Sequence, residues 1–524
     1  MTELDFIPGL TPAPTFLTPP DPVPEAEIRQ TLTADVVVVG EGLAGLVCAL
    51  RARQSGADTL IVTASKRPVG RGGSVFAAYS KVMAERGVPR QNLDRFLLEE
   101  LEARSFQVDQ RKFYRFINHS EEAMNWLVDL LRADGIDVVL EDANDDDHDS
   151  PTYQPPGTHA FVGQGVTRAG VGITFALQTL EAAYLAAGGR ILREHPARQL
   201  EKRGERVAAV LAQTPEGGWL RAAAERAVVL ATGDFSRNRE MMRVFCPQFA
   251  DGFAPEAADY DVGFSVGGLY QGDGHRMALW AGAAWQRTWP CAPMIQGSRV
   301  ASSLPYGSHR GLRLNARGER YCNEDMNGAY TALTTLREPG GKAFIIWGSN
   351  YADEIRWRAH GGRRDGPDMT REQILANWDD QIVRGKAVRA DTLEEVVDAL
   401  GLPRDAAMAE IARYNAHCRA GVDPDFHKSA RYLQEIREAP FYGASLSDRF
   451  FFSVLGGPRT NWRMQICGAD DRPIPGLWCL GSMVGDFYAN CYNFRIPGEN
   501  YGACLTFGYL TGGLLGRNES CDND

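Results

Sequence analysis

From Asp35 to Val39 the chain reads DVVVV and stops at Gly40. An apolar run of that length without polar alternation predicts a strand buried on both faces. Leu46 to Gln54 then places small and apolar residues on one helical face, and Gly56 marks its end. Thr59 to Thr63 is a second β-type run. Further on, a helix closes over Ala182–Gly189, and strand-like stretches follow around Ile191 and over Val207–Leu211. After a turn at Pro215–Gly218 comes another buried strand, Ala227–Ala231 (AVVLA), ended by Thr232 and Gly233. Between about Thr288 and Asp448 the pattern shifts toward charge and helix. There Thr392 and Glu395 have the spacing of a capping box, and a helix after Pro403 is expected through Tyr414. Phe451 to Gly516 returns to glycine-rich α/β patterning. The expectation is an α/β fold whose sheet-forming part is interrupted by a second unit.

Composition narrows the class. The chain has 524 residues, more than one compact core holds, so two or more domains are expected. Hydrophobic residues make up 44% and charged residues 23%, ordinary values for a soluble enzyme. The formal net charge of −11 argues against nucleic acid or an anionic membrane as the main partner. No apolar run is long enough to span a bilayer. Met1 to Leu32 is proline-rich (Pro8, Pro12, Pro14, Pro19, Pro20, Pro22, Pro24), lacks the regions of a secretory signal, and is expected to lie as an extended arm. The ten cysteines form no CxxC or CxxCH, so reduced thiols in a cytoplasmic protein are expected, with neither a zinc ribbon nor a c-type haem. The nine histidines show no HExxH or other ligand spacing, so no metal site is expected.

The glycines between the first strand and the first helix carry the first chemistry. Gly40-Glu41-Gly42-Leu43-Ala44-Gly45 stands where a strand–turn–helix unit binds a dinucleotide. Gly40 permits the tight turn, Gly42 lets a pyrophosphate approach, and Gly45 lets helix and strand pack closely. The helix N-terminus, at Leu43 and Ala44, adds free N–H groups and the positive end of a dipole.

Other motifs decide which dinucleotide. Arg71-Gly72-Gly73-Ser74 follows the second strand, Ala231-Thr232-Gly233 ends a late strand, and Pro473-Ile474-Pro475-Gly476-Leu477-Trp478 precedes Gly481. Gly272-Asp273-Gly274, Gly318 to Glu324 (GERYCNE), Arg413-Tyr414-Asn415 and Asp423-Pro424-Asp425-Phe426 complete the set. With these, the sequence from about Thr33 to Gly516 resembles the FAD-binding family of fumarate reductase and succinate dehydrogenase flavoproteins, which includes ketosteroid dehydrogenases and enoate reductases. The resemblance implies a Rossmann-type FAD-binding domain interrupted by an α+β capping domain, with the active site in the cleft between them. The expected bounds are 1–32 for the arm, 33–287 and 449–524 for the FAD-binding domain, and 288–448 for the cap. It further implies cofactor contacts at Gly40, Gly42, Leu43, Ala44, Gly45, Thr63, Ala64, Gly72, Gly73, Ser74, Thr232, Gly233, Asp273, Ser482, Asn500 and Tyr501. Thr63 stands where the family carries a ribose-binding acid, and Ser482 where it carries Glu; both hydroxyls retain hydrogen-bonding capacity.

The same resemblance implies the reacting side chains. Arg495-Ile496-Pro497-Gly498-Glu499-Asn500 matches the family's Arg-Leu-Gly-Gly-Asn segment, whose arginine grips a substrate carboxylate and whose following helix points its N-terminus at the flavin pyrimidine. The proton-transfer set of fumarate reductases is absent: its arginine falls at Gly328, its relay glutamate and second arginine at Leu304 and Gly307, and its His-Pro-Thr segment has no counterpart near Trp289. Tyrosines are the available proton donors, since a phenol with an ordinary pKa of about 10 protonates a developing carbanion or polarises a carbonyl. Tyr492, Tyr488 and Tyr330 are the candidates, beside Arg495 and Gly498. The implied activity is FAD-dependent hydride transfer at a C–C bond next to a carbonyl or carboxyl of a small organic substrate. A ketosteroid-type dehydrogenase is the alternative, and a non-catalytic flavin carrier the third reading. The electron donor or acceptor stays open. Two motifs are set aside: Gly263-Phe264-Ser265-Val266-Gly267 lacks the strand–turn–helix setting of a nucleophile elbow, and the acidic run Glu141–Asp149, with His148, reads as a solvated loop.

Overall fold

The computed structural model describes residues 14–90, 92–141, 153–163, 172–249, 269–296, 311–326, 328–354, 369–446 and 450–518. The GxSxG stretch, Leu304, Gly307 and the acidic run beyond Glu141 lie outside them.

The apolar runs build one large sheet. Strand β1 (Ile28–Val39) runs parallel to β2 (Thr59–Val62) on one side and to β9 (Trp219–Leu230) on the other. β6 (Arg190–Leu192) extends the sheet beyond β2, and β17 (Pro473–Cys479) beyond β9, both in parallel. β16 (Gln465–Cys467) is an antiparallel edge, while β7 (Ala197–Arg203) and β8 (Arg206–Gln213) form an antiparallel extension on β9. Val36 to Val39 are buried because both faces of the sheet are covered. β1 begins at Ile28, inside the stretch expected to be arm. Residues 28–34 pair with 219–224 of β9, which satisfies the backbone groups of a segment whose side chains are mostly polar.

Helix α1 (Leu43–Gln54) follows the glycine turn and packs on α13 (Glu499–Arg517). Gly508, Gly512 and Gly516 of α13 face Ala44, Cys48 and Ala52 of α1, and a Cβ on Gly512 would come within 2.4 Å of the Cys48 carbonyl oxygen. Both helices present small residues every fourth position, so their backbones approach closely. Helices α2 (Lys81–Glu85), α3 (Leu93–Ala103), α4 (Gln110–Ala133) and α5 (Ile173–Ala186), with a small sheet of β3 (Val75–Phe76), β5 (Thr158–Val162) and β4 (Asp137–Leu140), complete this part.

After α6 (Arg239–Phe245) and α7 (Asp273–Trp280), β10 (Ala292–Gln296) pairs antiparallel with β15 (Phe450–Leu455). Between those two strands the chain builds a separate core, from Leu312 to Leu446. It holds the sheet β11 (Arg313–Asn315), β12 (Ala343–Gly348), β14 (Phe441–Ser445) and β13 (Val388–Ala390). Around that sheet lie α9 (Tyr351–Glu354), α10 (Arg371–Val383), α11 (Leu393–Ala399) and α12 (Arg404–Ala420), whereas α8 (Gly328–Thr335) packs on β10, with Ala332 in a further cluster beside Phe245, Trp285 and Val454. The capping box at Thr392 and Glu395 is present in both directions at the start of α11. Arg320, inside the GERYCNE motif, is buried between Glu324 and Asp423, so that motif and the Asp423–Phe426 segment tie this core together.

Candidate functional site

The three glycines of the first turn are not equivalent. Gly40 has φ +114°, and a Cβ there would lie 2.2 Å from the Ala231 carbonyl oxygen. A Cβ on Gly45 would lie 2.1 Å from the Gly40 carbonyl oxygen. Gly42 has φ −84°, and its nearest neighbour would be the Val69 oxygen at an ordinary 3.6 Å. The protein's own packing thus requires glycine at 40 and 45 but leaves room at 42. Beyond that space stands the N-terminus of α1, which no side chain among the described residues caps. A close-approach cradle at an uncapped helix N-terminus fits a pyrophosphate.

The ends of the parallel strands surround this turn. At the end of β2 the Thr63 and Ser65 hydroxyls are 2.8 Å apart and Ser65 N–H donates to Thr63 Oγ1, so a pair of buried hydroxyls stands in place of the family's acid; Ala64 between them is exposed. Thr232 and Gly233 follow β9, and Thr232 Oγ1 donates to the Met483 sulfur. A Cβ on Gly481, after β17, would sit 3.5 Å from that of Ala44. Ser482 Oγ accepts from Asn500 Nδ2 at 3.2 Å, and the Tyr501 hydroxyl accepts from Arg71 N–H at 2.5 Å, beside Gly72. Gly498, with φ +79°, backs onto Ser74, where a Cβ would lie 2.6 Å from the Ser74 carbonyl carbon. The segments 40–45, 70–74 and 498–501 therefore converge with Thr232 and Ser482 at the C-terminal ends of the parallel strands. Asp273 opens α7 next to Thr232, but its carboxylate is held by Arg198 and Arg276.

The candidate reacting groups sort differently from the sequence expectation. Arg495 donates to Glu99 at 2.7 Å and lies 3.2 Å from Glu100, so two protein carboxylates already hold the guanidinium expected to grip a substrate. The Tyr492 hydroxyl donates to the Ile496 carbonyl at 3.0 Å, and Tyr488 contacts Asn500 Oδ1 at 3.5 Å; both rings are buried. Tyr330 comes from α8, which packs on β10, and meets the side chain of Asn493, which in turn donates to Glu100. Burial raises the pKa of all three phenols, that of Tyr330 to about 12, so each remains a protonated donor at neutral pH.

Several polar groups here escaped the sequence reading. Glu100 and Arg104, four residues apart around the end of α3, are buried, and Arg104 bridges Glu100 to Glu499. Asp234 is buried after Gly233 and accepts from Arg71, Ser236 and Ser453. Glu41, inside the glycine turn, is buried against Arg193. Glu141 corrects the solvated-loop expectation at its first residue: its N–H bonds Thr158, its carboxylate accepts from Ser74 at 2.8 Å, and burial raises its pKa to about 7. Of these, only the i,i+4 spacing of Glu100 and Arg104 is visible in sequence, and surface pairs share that spacing. Among the described residues, one group, His417, Asp423 and Asp425, has metal-ligand proximity, but Asp423 already pairs with Arg320.

Residues 35–493 match the family described as FAD binding domain. The chain is 24% identical to the vinyl phenol reductase of Lactiplantibacillus plantarum, over 92% of this chain and 96% of that protein. It is 29% identical to a 3-oxosteroid 1-dehydrogenase of Mycolicibacterium smegmatis, over 55% of this chain and 51% of the other, so the match spans about half of that relative. The fold superposes on a 3-ketosteroid delta4-(5alpha)-dehydrogenase from Rhodococcus jostii with a TM-score of 0.71 at 22% identity, covering 95% of this chain and 99% of that one.

Proposed function

The chain belongs to the FAD binding domain family, and from that premise we propose that it is an FAD-dependent oxidoreductase that moves a hydride between flavin and a C–C bond next to a carbonyl. Relatives named vinyl phenol reductase, NADH:acrylate oxidoreductase and 3-oxosteroid 1-dehydrogenase support the CH–CH class. The observation that carries the reading is the convergence of the open cradle at Gly42 with the start of α13 at Gly498–Tyr501. Gly42 to Gly45 would hold the pyrophosphate, Thr63 and Ser65 the ribose, and Ser482, Asn500 and Tyr501 the flavin end. When bound, FAD supplies the hydride chemistry.

The protein's own groups do the rest. The N-terminus of α13 favours negative charge on the ring it faces. Tyr330, brought by α8, provides the proton at the substrate α-carbon, and the second core acts as the cap that keeps water out. Tyr488 and Tyr492 spend their hydroxyls on Asn500 and Ile496 and shape the wall. Because Arg495 is held by Glu99 and Glu100, a neutral ketone or enone suits the cleft better than a carboxylate. This favours the ketosteroid-type end of the family over the enoate end.

A steady-state assay with reduced viologen tests the reading. A neutral enone should be preferred over the enoate of the same skeleton by about tenfold or more in kcat/KM, and fumarate should show at most trace turnover. An enoate preferred by the same margin, or fumarate turnover of roughly 10 per second, overturns it.

A further inference from the structure

Glu499 is the first residue of α13 and is 1% exposed. Both its oxygens lie 2.7 Å from one nitrogen of Arg104, and the other terminal nitrogen of Arg104 serves Glu100. Arg495 and Asn493 complete Glu100, and Arg495 passes on to Glu99, which reaches the surface. Arg95 also donates to Glu99 at 2.7 Å, so three carboxylates share three guanidinium groups, and Glu499, at the buried end of the chain of pairs, has only its share of Arg104. Among the described residues the other groups facing the cluster are no bases: the phenols of Tyr330, Tyr488 and Tyr492 stay protonated, burial raises the Cys491 thiol to about 12, and Phe113 of α4 covers Arg104. Lys112, also on α4, turns away to the Gly485 carbonyl at 2.7 Å.

We propose that Glu499 is the proton-holding group of the flavin site, taking up one solvent proton when the bound flavin is reduced and releasing it on reoxidation. The inference rests on the reading that this site holds FAD. A hydride from the reductant, a saturated C–H substrate or a reduced nicotinamide, carries both electrons and the hydrogen that goes to the flavin. One negative charge is thereby added at the helix end where Glu499 already sits. Like charges in a water-poor site do not both persist, so the carboxylate accepts a proton and the net charge stays constant. Burial and the Glu100 charge against the Arg104 attraction already place the Glu499 carboxyl at about 7, where a modest added charge tips it.

The test is the midpoint potential of the bound flavin against pH, in the wild type and in Glu499→Gln. One extra proton per two electrons adds about 30 mV per pH unit. The wild-type slope should exceed that of the variant by up to that amount through the neutral range and converge with it in acid, where Glu499 is protonated in both redox states. Equal slopes in two flavin-loaded proteins overturn the inference alone; a wild type that binds no FAD overturns the reading beneath it. If the variant fails to retain flavin, indicator-dye proton uptake during photoreduction of the wild type decides. Uptake greater than the reduced flavin's own absorption accounts for supports Glu499, and equality refutes it.

Discussion

A side chain at Gly42 meets only ordinary contact with Val69, whereas one at Gly45 collides with the Gly40 carbonyl 2.1 Å away. The two positions therefore separate cofactor binding from folding. Gly42→Val should leave the thermal stability of the apoprotein near that of wild type while flavin retention is lost, because the new methyls occupy the pyrophosphate's place. Gly45→Val should destabilise the apoprotein by about 1–3 kcal/mol or more, as overpacking does. Thermal unfolding together with flavin content checks both, and a Gly42→Val protein that keeps its FAD contradicts the cradle. The tyrosines divide in the same way. Tyr330→Phe should lower kcat by about 10²–10⁴-fold, the worth of a general acid. Tyr492→Phe should cost about 1 kcal/mol of stability, for the bond to Ile496, with kcat changed far less. With the Tyr330 phenol pushed up to about 12, it stays protonated across neutral pH, so loss of rate from its ionisation belongs to strongly alkaline solution. Its chemistry was legible in sequence as a residue type. Its standing among three tyrosines was not, because that depends on which hydroxyls the backbone and Asn500 already engage.

At the scale of elements, the position of α13 depends on its glycine stripe against α1. Alanine is a better helix former than glycine by about 1 kcal/mol. Gly512→Ala should nevertheless lower the unfolding temperature and loosen flavin binding, since its Cβ would lie 2.4 Å from the Cys48 carbonyl oxygen. Thermal unfolding and FAD release measured together check this, and a stabilised variant with full flavin content contradicts it. The strands at 35–39, 59–62 and 227–230 were readable from their unbroken apolar runs, and α11 from its capping box. The 508–512–516 stripe is not legible in sequence, because glycines in a helix look like breakers until a partner with Ala44, Cys48 and Ala52 is in place. The start of β1 at Ile28 was hidden for a related reason: its side chains are mostly polar, and only the partner strand β9 satisfies its backbone.

For the whole molecule, the two cores and the strand pair β10–β15 joining them explain why the motifs are so far apart in the chain. The turn at 40–45, the segment at 70–74 and the helix start at 498–501 meet because β17 returns to the sheet beside β9 after the second core is built. The family resemblance implies that these motifs serve one site. The cluster of Glu99, Glu100, Arg104, Arg495 and Glu499 is not legible in sequence, since it joins α3 to a segment almost four hundred residues later and no local pattern marks the pairing. It is also what moves the expected substrate from a carboxylate toward a neutral carbonyl compound. The measurement that tests the central claim most directly is anaerobic: purified protein is reduced with dithionite and then mixed with a panel of enones, steroid ketones and enoates while flavin absorbance is followed. The yellow colour of bound FAD should vanish on reduction and return with a neutral unsaturated ketone, yielding the saturated product, at a rate in the enzymatic range of about 1–10³ per second. A colourless protein that cannot be reconstituted with FAD, or a reduced flavin that no unsaturated carbonyl compound reoxidises, contradicts the account.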